Sequence, residues 1–381
     1  MRGQWGIVLG LAVGGPACGL DNPPVEGSGA SSEANTEESG NTPGAGTNAE
    51  TANTQGGEPS GGTPTGTPGD DASGGMPADS GGGTAAGTGT TSDTGRPVEE
   101  SLRWIALGDS GEGNDNQMAV AAAAEVVCAD QGCDFALLLG DNFYDEGVTA
   151  VDDPQFAEKF ENIYAGLDMP FYIVLGNHDY GELAFDWARG DYQVQYGEMN
   201  EKWVMPHFWY TFTSETAATQ FFAFDTQRIM FDHQTDLQRD WLSGELEAST
   251  APWKIGFAHH PYVSNGKHGN AGNYEGLPGL ALINGTYIKE FMDELVCGQM
   301  QVYFSGHDHN RQAFDPVCGT YFFVSGAAAK TTDFENRDDN PLAWGDDQRP
   351  GFVWAEIENE TFTAAFFDLD GNLDHEMTFT L

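Results

Sequence analysis

Short apolar segments that end in small polar clusters recur along the second part of the chain, and they limit the folds available to it. Each cluster opens with Gly or Ala and continues with Asp, Asn or His. In chain order they are Gly108-Asp109-Ser110-Gly111, Gly140-Asp141-Asn142-Phe143-Tyr144, Gly176-Asn177-His178-Asp179, Ala258-His259-His260-Pro261 and Gly306-His307-Asp308-His309. Buried strands have this apolar character, and α/β folds build their sites in the loops beyond strand ends. We therefore predict that the five clusters meet at one edge of the fold.

The segments between and after the clusters predict an α/β domain. Helices are expected at about Asn116–Val127, Pro154–Tyr164, Asp236–Leu246 and Thr286–Val296. Strands are expected at Trp104–Leu107, Phe135–Leu139, Phe171–Leu175, Phe208–Phe212, Phe221–Phe224, Lys254–Ala258, Val302–Ser305, Tyr321–Ser325, Phe352–Ile357, Phe362–Phe367 and Met377–Leu381. Early alternation of strands and helices, followed by strands alone, indicates two mixed β-sheets packed as a sandwich with helices outside.

Composition changes sharply near residue 100. Residues 19–98 are mostly Gly, Ser, Thr, Pro, Ala and Asn, and they contain no aromatic side chain. Such a segment cannot bury enough apolar surface to offset the entropy lost on ordering. We predict a disordered acidic tether at 19–98 and a folded domain at 99–381.

The start of the chain has the pattern of an export signal. Met1-Arg2 precedes the short apolar run Trp5–Val13, and small residues lead to Cys18. The run is too short to span a bilayer, and the small residues before Cys18 are similar to a bacterial lipoprotein cleavage site. We predict a signal peptide at 1–18 and lipidation at Cys18, with ordinary signal cleavage nearby as the alternative. The protein is then exported, periplasmic or at the cell surface, and it meets a membrane only through this anchor.

Four cysteines remain for the folded domain, and an even number in an exported chain favours disulfides. The expected pairs are Cys128 with Cys133 and Cys297 with Cys318, because each pair lies near the ends of neighbouring elements. A zinc site built from all four thiolates is disfavoured by their irregular spacing.

The formal net charge of −44 narrows the choice of partners. Long-range repulsion disfavours nucleic acid and other polyanions. A small phosphorylated substrate remains possible if cations at the bottom of the site reverse the local potential. We expect a monomer that binds such a substrate and no nucleic acid.

The side chains of the five clusters offer oxygen and imidazole donors without a thiolate, which suits iron, zinc or manganese. A carboxylate shared by two cations would make a two-metal clamp on a phosphoryl group. Tyr144 adds a phenol, which must lose its proton to bind and does so most easily on a trivalent ion. These donors predict Fe(III) together with a divalent ion, Fe, Zn or Mn.

This pattern resembles the metallophosphoesterase superfamily, in particular the small tartrate-resistant purple acid phosphatases. The resemblance runs from Leu102 to about Phe379 and includes the stretch Ala251–Gly269. Gly111 stands where other branches have His, and Tyr144 supplies the missing ligand. Gly256 replaces the family's Val, a departure expected to affect packing. The resemblance implies a four-layer fold and an acid phosphatase that hydrolyses phosphate monoesters.

The resemblance also implies roles for individual residues. The predicted Fe(III) ligands are Asp109, Asp141, Tyr144 and His309, and the predicted ligands of the divalent ion are Asp141, Asn177, His259 and His307. Asp141 bridges, and His260 lies beside the ligands without binding a metal. A hydroxide held at the metals attacks phosphorus in line, and His178 and His268 are the candidates that protonate the leaving alcohol.

Two other functions remain open. The same metals could serve a phosphodiesterase or nucleotidase, with the region Lys330–Pro350 and the loop Asp186–Pro206 shaping the pocket. The fold could instead belong to a non-catalytic surface lipoprotein that binds a partner through aromatic side chains such as Trp187 and Trp203, if these are exposed. The complete set of ligands favours an enzyme.

Overall fold

The structure, a computed structural model, describes residues 101–381 except 215, 278, 337 and 338. The predicted signal peptide at 1–18, lipidation at Cys18 and tether at 19–98 lie outside the described residues. In the part of the chain that is described, no helix combines the length and the apolar character needed to cross a membrane.

Two mixed β-sheets of seven strands each form the centre of the domain. The first sheet contains β1 (Ser101–Leu107), β2 (Phe135–Leu139), β3 (Phe171–Val174), β4 (Trp203–Val204), β12 (Gly351–Glu358), β13 (Thr361–Asp368) and β14 (Leu373–Thr380). The second contains β5 (Tyr210–Ser214), β6 (Thr219–Ala223), β7 (Trp253–Phe257), β8 (Val302–Ser305), β9 (Arg311–Phe314), β10 (Tyr321–Ser325) and β11 (Leu342–Asp346). Their orders are β14-β13-β12-β1-β2-β3-β4 and β11-β9-β10-β8-β7-β6-β5.

The inner faces of the two sheets share one aromatic core. Trp104 of β1 is fully buried, and its ring lies 5.3 Å from that of Phe221 and 6.2 Å from that of Phe304, both in the second sheet. The ring of Phe362, in the first sheet, lies 5.9 Å away. Edge-to-face contacts of this kind add to the stability gained by burial. The predicted sandwich of two mixed sheets is confirmed.

Helices cover both outer faces. They are α1 (Asp115–Gln131), α2 (Trp187–Gly197), α3 (Thr226–Met230), α4 (Thr235–Ala248) and α5 (Thr286–Leu295). The Ala-rich α1 begins at Asn114, whose side chain accepts a hydrogen bond from the amide of Gln117, and packs on the first sheet. The amphipathic α5 packs on the second. The resulting order is helix, sheet, sheet, helix.

Some local predictions were wrong. The helix expected at Pro154–Tyr164 is present but irregular, with a π-helical turn at Ala157–Glu161, and the segment expected as the loop Asp186–Pro206 contains α2 and β4. Strand β9 was not predicted because its sequence, Arg-Gln-Ala-Phe, begins with two polar residues and lacks the apolar run of the other buried strands. The buried charge of Arg311 is met by Asp346 and Asp374, at 3.0 and 2.8 Å.

The four described cysteines pair as predicted. One disulfide joins Cys128 to Cys133 between α1 and β2, and the other joins Cys297 to Cys318 between α5 and β10. Their Cα atoms are 5.1 and 5.3 Å apart, which is the usual separation for a disulfide. Since all four thiols are used in this way, the zinc alternative is excluded.

The carboxyl ends of the central strands meet at one edge of the sandwich. Strands β1, β2 and β3 are parallel in the first sheet, as are β7, β8 and β10 in the second. The amide of Gly108, after β1, donates to the carbonyl oxygen of Ser325, at the end of β10, over 2.7 Å. A Cβ atom at Gly108 would lie 2.7 Å from that oxygen and 3.0 Å from Cα of Gly306. Only glycine permits so close an approach.

Gly256 in β7 allows a first prediction about stability. A Cβ atom there would lie 2.7 Å from Sδ of Met300 and 3.1 Å from the ring of Tyr303, so Gly256→Val overfills the core. We expect a loss of about 1 to 3 kcal/mol in the free energy of unfolding, measured with urea. Gly244→Ala in α4 is the control, because a Cβ atom at Gly244 has no neighbour within 4 Å. If Gly256→Val leaves the unfolding midpoint unchanged, the packing of this strand is described wrongly.

Candidate metal centre

Three side chains from three strand ends converge around the phenol oxygen of Tyr144. Its Oη atom lies 2.9 Å from Oδ1 of Asp109, 2.8 Å from Oδ2 of Asp141 and 3.2 Å from Nε2 of His309. Nε2 of His309 is also 3.4 Å from Oδ1 of Asp109. All four residues are buried. The first donor group therefore consists of two carboxylates, one phenol and one imidazole.

A second donor group lies beside the first. Nε2 of His259 is 3.1 Å from Oδ1 of Asn177 and 3.1 Å from Nδ1 of His307. Nδ1 of His259 is 2.9 Å from the carbonyl oxygen of Leu139, to which it can donate its proton. This hydrogen bond leaves the lone pair of Nε2 directed at the site, as in histidines that bind metals.

Asp141 belongs to both donor groups. Its Oδ2 atom lies 2.8 Å from Oη of Tyr144 in the first group and 3.5 Å from Nε2 of His259 in the second. Its other oxygen, Oδ1, accepts the amide of His178 over 2.9 Å. The carboxylate therefore lies between the two groups, as a ligand shared by two ions would.

The spacing of the donors fits metal ions. Ligand bonds of about 2.1 Å place two donors on the same ion about 3.0 Å apart at a right angle and about 3.4 Å apart at the tetrahedral angle. The donor pairs described above are separated by 2.8 to 3.5 Å. Hard oxygen and imidazole donors in this arrangement suit iron, zinc or manganese.

The backbone holds the carboxylates in place at some conformational cost. Asp109 and Asp141 have φ values of 57° and 52°, and His307 has a φ of 68°. Residues other than glycine rarely adopt this left-handed conformation, which is found at functional sites. Oδ2 of Asp109 accepts the amide of His307 over 2.8 Å, so one oxygen of each carboxylate is occupied and the other points at the site.

Burial governs the electrostatics of the site. The pKa of Asp109 is raised to about 7, mainly by burial. The charge of His259 lowers this pKa, and the nearby carboxylate of Asp141 raises it. Burial also raises the pKa of Asp141, but His259 and His178 lower it more, so its pKa lies below the usual range. One carboxyl of the pair thus keeps a proton more readily than the other. Burial, then Asp109 and Asp141, raises the pKa of the Tyr144 phenol well above its usual value.

The histidines respond in the opposite direction. Burial lowers the pKa of His307 well below its usual value, and the neighbouring His268 and His260 lower it further. Burial, followed by the positive charge of Lys330, also lowers the pKa of His309 well below its usual value. Without a cation, burial therefore favours the neutral form of His307 and His309 and the protonated form of Asp109. A bound cation would take the place of the proton on the carboxyl group. Neutral imidazoles and a carboxylate are the forms that bind metals, so the protonation states also fit a metal centre.

Three further histidines surround the two donor groups. The structure places a ring nitrogen of His260 within 4.8 Å of those of His259 and His307, while its Nδ1 lies 2.8 Å from Oγ1 of Thr226. The rings of His178 and Tyr144 are 4.5 Å apart, and those of His268 and His307 are 4.1 Å apart. The structure thus brings together all seven predicted ligands and both predicted proton donors.

Several residues at the site were not singled out from the sequence. Nζ of Lys330 lies 3.4 Å from the ring centroid of Tyr144 and 2.5 Å from Oε1 of Glu112. Nδ1 of His268 contacts Oε1 of Glu275. The buried Asp308 accepts hydrogen bonds from Oγ of Ser264 and the amide of His268, which fixes the loop that carries His268. Lys330 lies in an irregular segment and Glu275 in a single 3-10 turn, so no periodic pattern marks them.

The comparison with protein families decides the relationship. A sequence profile for calcineurin-like phosphoesterases matches residues 91–311, which is more than half of the chain. The chain belongs to the calcineurin-like phosphoesterase family. The predicted relationship is confirmed, and so is an enzyme that hydrolyses phosphoesters with the help of metals. The family relationship implies a dinuclear metal centre in this protein.

Relatives of known name support the same branch of the family. The chain is 28% identical to purple acid phosphatase 4 of Arabidopsis thaliana over 307 residues, which cover 72% of this chain and 83% of the relative. It is 26% identical to tartrate-resistant acid phosphatase type 5 of Homo sapiens over 309 residues, which cover 71% and 88%.

Solved structures confirm the fold. GAP50, described as the anchor in the inner membrane complex of Plasmodium, matches with a TM-score of 0.61 and 20% identity over 74% of this chain and 89% of that chain. PhoD matches with a TM-score of 0.53 and 13% identity over 74% of this chain and 70% of that one. At these identities the likeness concerns the fold alone.

The shared position of Asp141 gives a prediction about metal content. Asp141→Asn removes a charge but keeps the shape, and Asn tolerates the left-handed backbone at this position. We expect metal content to fall from about two ions per chain, as a two-metal clamp requires, to one or fewer. Mass spectrometry of the purified protein measures it, and His375→Gln on β14 is the control. Two ions retained by Asp141→Asn would contradict a bridging role.

Proposed function

We propose that this protein is a phosphomonoesterase that works with Fe(III) and a divalent ion, Fe, Zn or Mn. The observation that carries the proposal is the position of Oδ2 of Asp141 between two donor groups, 2.8 Å from Oη of Tyr144 and 3.5 Å from Nε2 of His259. The relatives named as purple and tartrate-resistant acid phosphatases support the choice of a monoester.

The two ions would be held by different ligands. Fe(III) would take the first donor group, Asp109, Asp141, Tyr144 and His309. The divalent ion would take Asp141 together with the second donor group, Asn177, His259 and His307. When bound, two such ions polarise a phosphoryl oxygen and make water acidic enough to attack phosphorus.

His178 and His268 would handle the proton of the leaving alcohol. Nδ1 of His178 lies 2.6 Å from the carbonyl oxygen of Asp145, which fixes the orientation of the ring. Nδ1 of His268 contacts the carboxylate of Glu275, which can accept a hydrogen bond from it and stabilise the charged imidazolium. The carboxylate of Asp308 holds the amide of His268 over 2.8 Å. In both rings a contact at Nδ1 fixes the orientation, and Nε2 is the nitrogen that would exchange a proton with the leaving alcohol.

A matched set of esters tests the proposed reaction. The same 4-nitrophenol is released from a monoester and from a diester, so the comparison isolates the charge and substitution at phosphorus. We expect the monoester, 4-nitrophenyl phosphate, to have the higher kcat/KM. Faster cleavage of bis(4-nitrophenyl) phosphate would instead establish the phosphodiesterase alternative, and a marked preference for a nucleoside monophosphate would establish a nucleotidase.

Tyr144→Phe tests the assignment of the iron. Phe keeps the buried ring but removes the phenol oxygen that contacts Asp109, Asp141 and His309. We expect the broad visible band of an Fe(III)–tyrosinate pair in the wild type and its loss in the variant. Colour retained in Tyr144→Phe would rule out this tyrosinate.

His268→Ala tests the proton donor. We expect metal content and colour to remain while kcat falls by about 10² to 10⁴, the usual contribution of a general acid or base. Added imidazole should restore part of the rate, which a merely structural defect would not allow. Glu275→Gln should lower kcat less than His268→Ala. Wild-type kcat in His268→Ala would leave His178 as the sole candidate of the two.

We also propose that the enzyme is exported, anchored by a lipid at Cys18, and active as a monomer on small substrates. The apolar run Trp5–Val13 and the small residues before Cys18 support this location. Palmitate labelling of the full chain, with Cys18→Ala as the unlabelled control, tests the anchor. A surface lipoprotein that only binds a partner would show no turnover of any ester in the presence of both metals.

A further inference from the structure

A cavity of about 410 Å³ opens beside His178. It is lined by Glu146, Gly181, Glu182, Leu183, Phe185, Asp186 and Arg189. The amide of Gly181 donates to the carbonyl oxygen of His178 over 3.2 Å. Glu146 directly follows Asp145, whose carbonyl oxygen contacts Nδ1 of His178. Two segments that line the cavity therefore also contact His178, the proposed proton donor. The volume of the cavity lies within the range of small-molecule pockets.

Arg189 joins two walls of the cavity. Its Nε lies 3.2 Å from Oδ2 of Asp186 and its Nη2 lies 3.7 Å from Oε2 of Glu146, while Nη1 donates to the carbonyl oxygen of Glu146. Its side chain is only 20% exposed, whereas those of Asp186 and Glu146 are 57% and 55% exposed. The guanidinium is therefore engaged within the wall and is not free to bind a second anion.

The remaining lining is acidic and apolar. Three carboxylates, those of Glu146, Glu182 and Asp186, face one guanidinium, so the cavity has an excess of negative charge. Leu183 and Phe185 are 68% and 47% exposed, which is high for such side chains. The ring of Phe185 packs edge-on against the ring of Phe231, with the ring centroids 5.6 Å apart, and this contact holds Phe185 in place.

We propose that this cavity is the subsite for the leaving alcohol and that it selects aromatic alcohols bearing a positive charge. The inference rests on the proposed function, because it places the leaving alcohol on the side of His178. The exposed ring of Phe185 and the side chain of Leu183 contact the aromatic part, and the carboxylates attract the cation. Alcohols that carry further phosphate or carboxylate groups are repelled, since like charges brought together give specificity against the wrong ligand.

Three phosphate esters test this selectivity without changing the leaving group's acidity. They are the esters of tyramine, 4-ethylphenol and 3-(4-hydroxyphenyl)propionate, which carry a positive, neutral and negative side chain on the same phenol. We expect kcat/KM to fall in that order, with about a tenfold difference between the first and the last for charges at a partly exposed site.

Substitutions at Glu182 test whether the cavity is responsible. Glu182→Gln should narrow the difference between the cationic and the anionic ester, and Glu182→Lys, which leaves two carboxylates and two cations in the lining, should abolish it. Glu247→Gln on α4 is the matched control, because it removes the same charge from an exposed position outside the cavity lining. We expect the wild-type ratio in the control.

The outcomes separate the two proposals. If none of the three esters nor 4-nitrophenyl phosphate is hydrolysed by the metal-loaded protein, the proposed function fails. If all are hydrolysed with equal kcat/KM, the subsite is disproved while the phosphatase stands. If the preference for the cationic ester changes equally in Glu182→Gln and Glu247→Gln, the preference arises from the charge of the whole protein. That result would also overturn the subsite.

Discussion

The close approach of the two sheets at Gly108 and Gly306 is the constraint on which the site depends. The hydrogen bond from the amide of Gly108 to the carbonyl oxygen of Ser325 ties the end of one sheet to the end of the other. No side chain fits between them, since a Cβ atom at Gly108 would meet Cα of Gly306 at 3.0 Å. Asp109 and His307 follow these two glycines directly. Donors from both sheets are thereby brought within hydrogen-bond distance of each other.

Such a concentration of buried acids and imidazoles opposes folding unless something compensates for lost hydration. Part of the compensation is local, because the amides of His307 and His178 each donate to one of the two aspartates. Lys330 contributes a positive charge over the ring of Tyr144. Bound cations would compensate further, and they would also allow a chain with a net charge of −44 to attract a phosphate group.

Much of this arrangement could be predicted from the sequence. The apolar segments that precede the clusters have a clear strand pattern, and parallel strands bring their carboxyl ends to one edge, so the seven proposed ligands are found together. Strand β9 escaped prediction because its Arg311 is satisfied by Asp346 and Asp374, which are distant in sequence. For the same reason the contacts of Glu275 with His268 and of Lys330 with Tyr144 appear only in three dimensions.

We expect two ions to share Asp141. Crystals of the metal-loaded protein, measured with X-rays just above and just below the iron absorption edge, test it most directly through anomalous scattering. We expect two peaks about 3.5 to 4 Å apart, the usual spacing in two-metal sites, on either side of the Asp141 carboxylate. The iron signal should lie with Tyr144. A single peak, or peaks away from Asp141 in an active enzyme, would contradict the dinuclear centre.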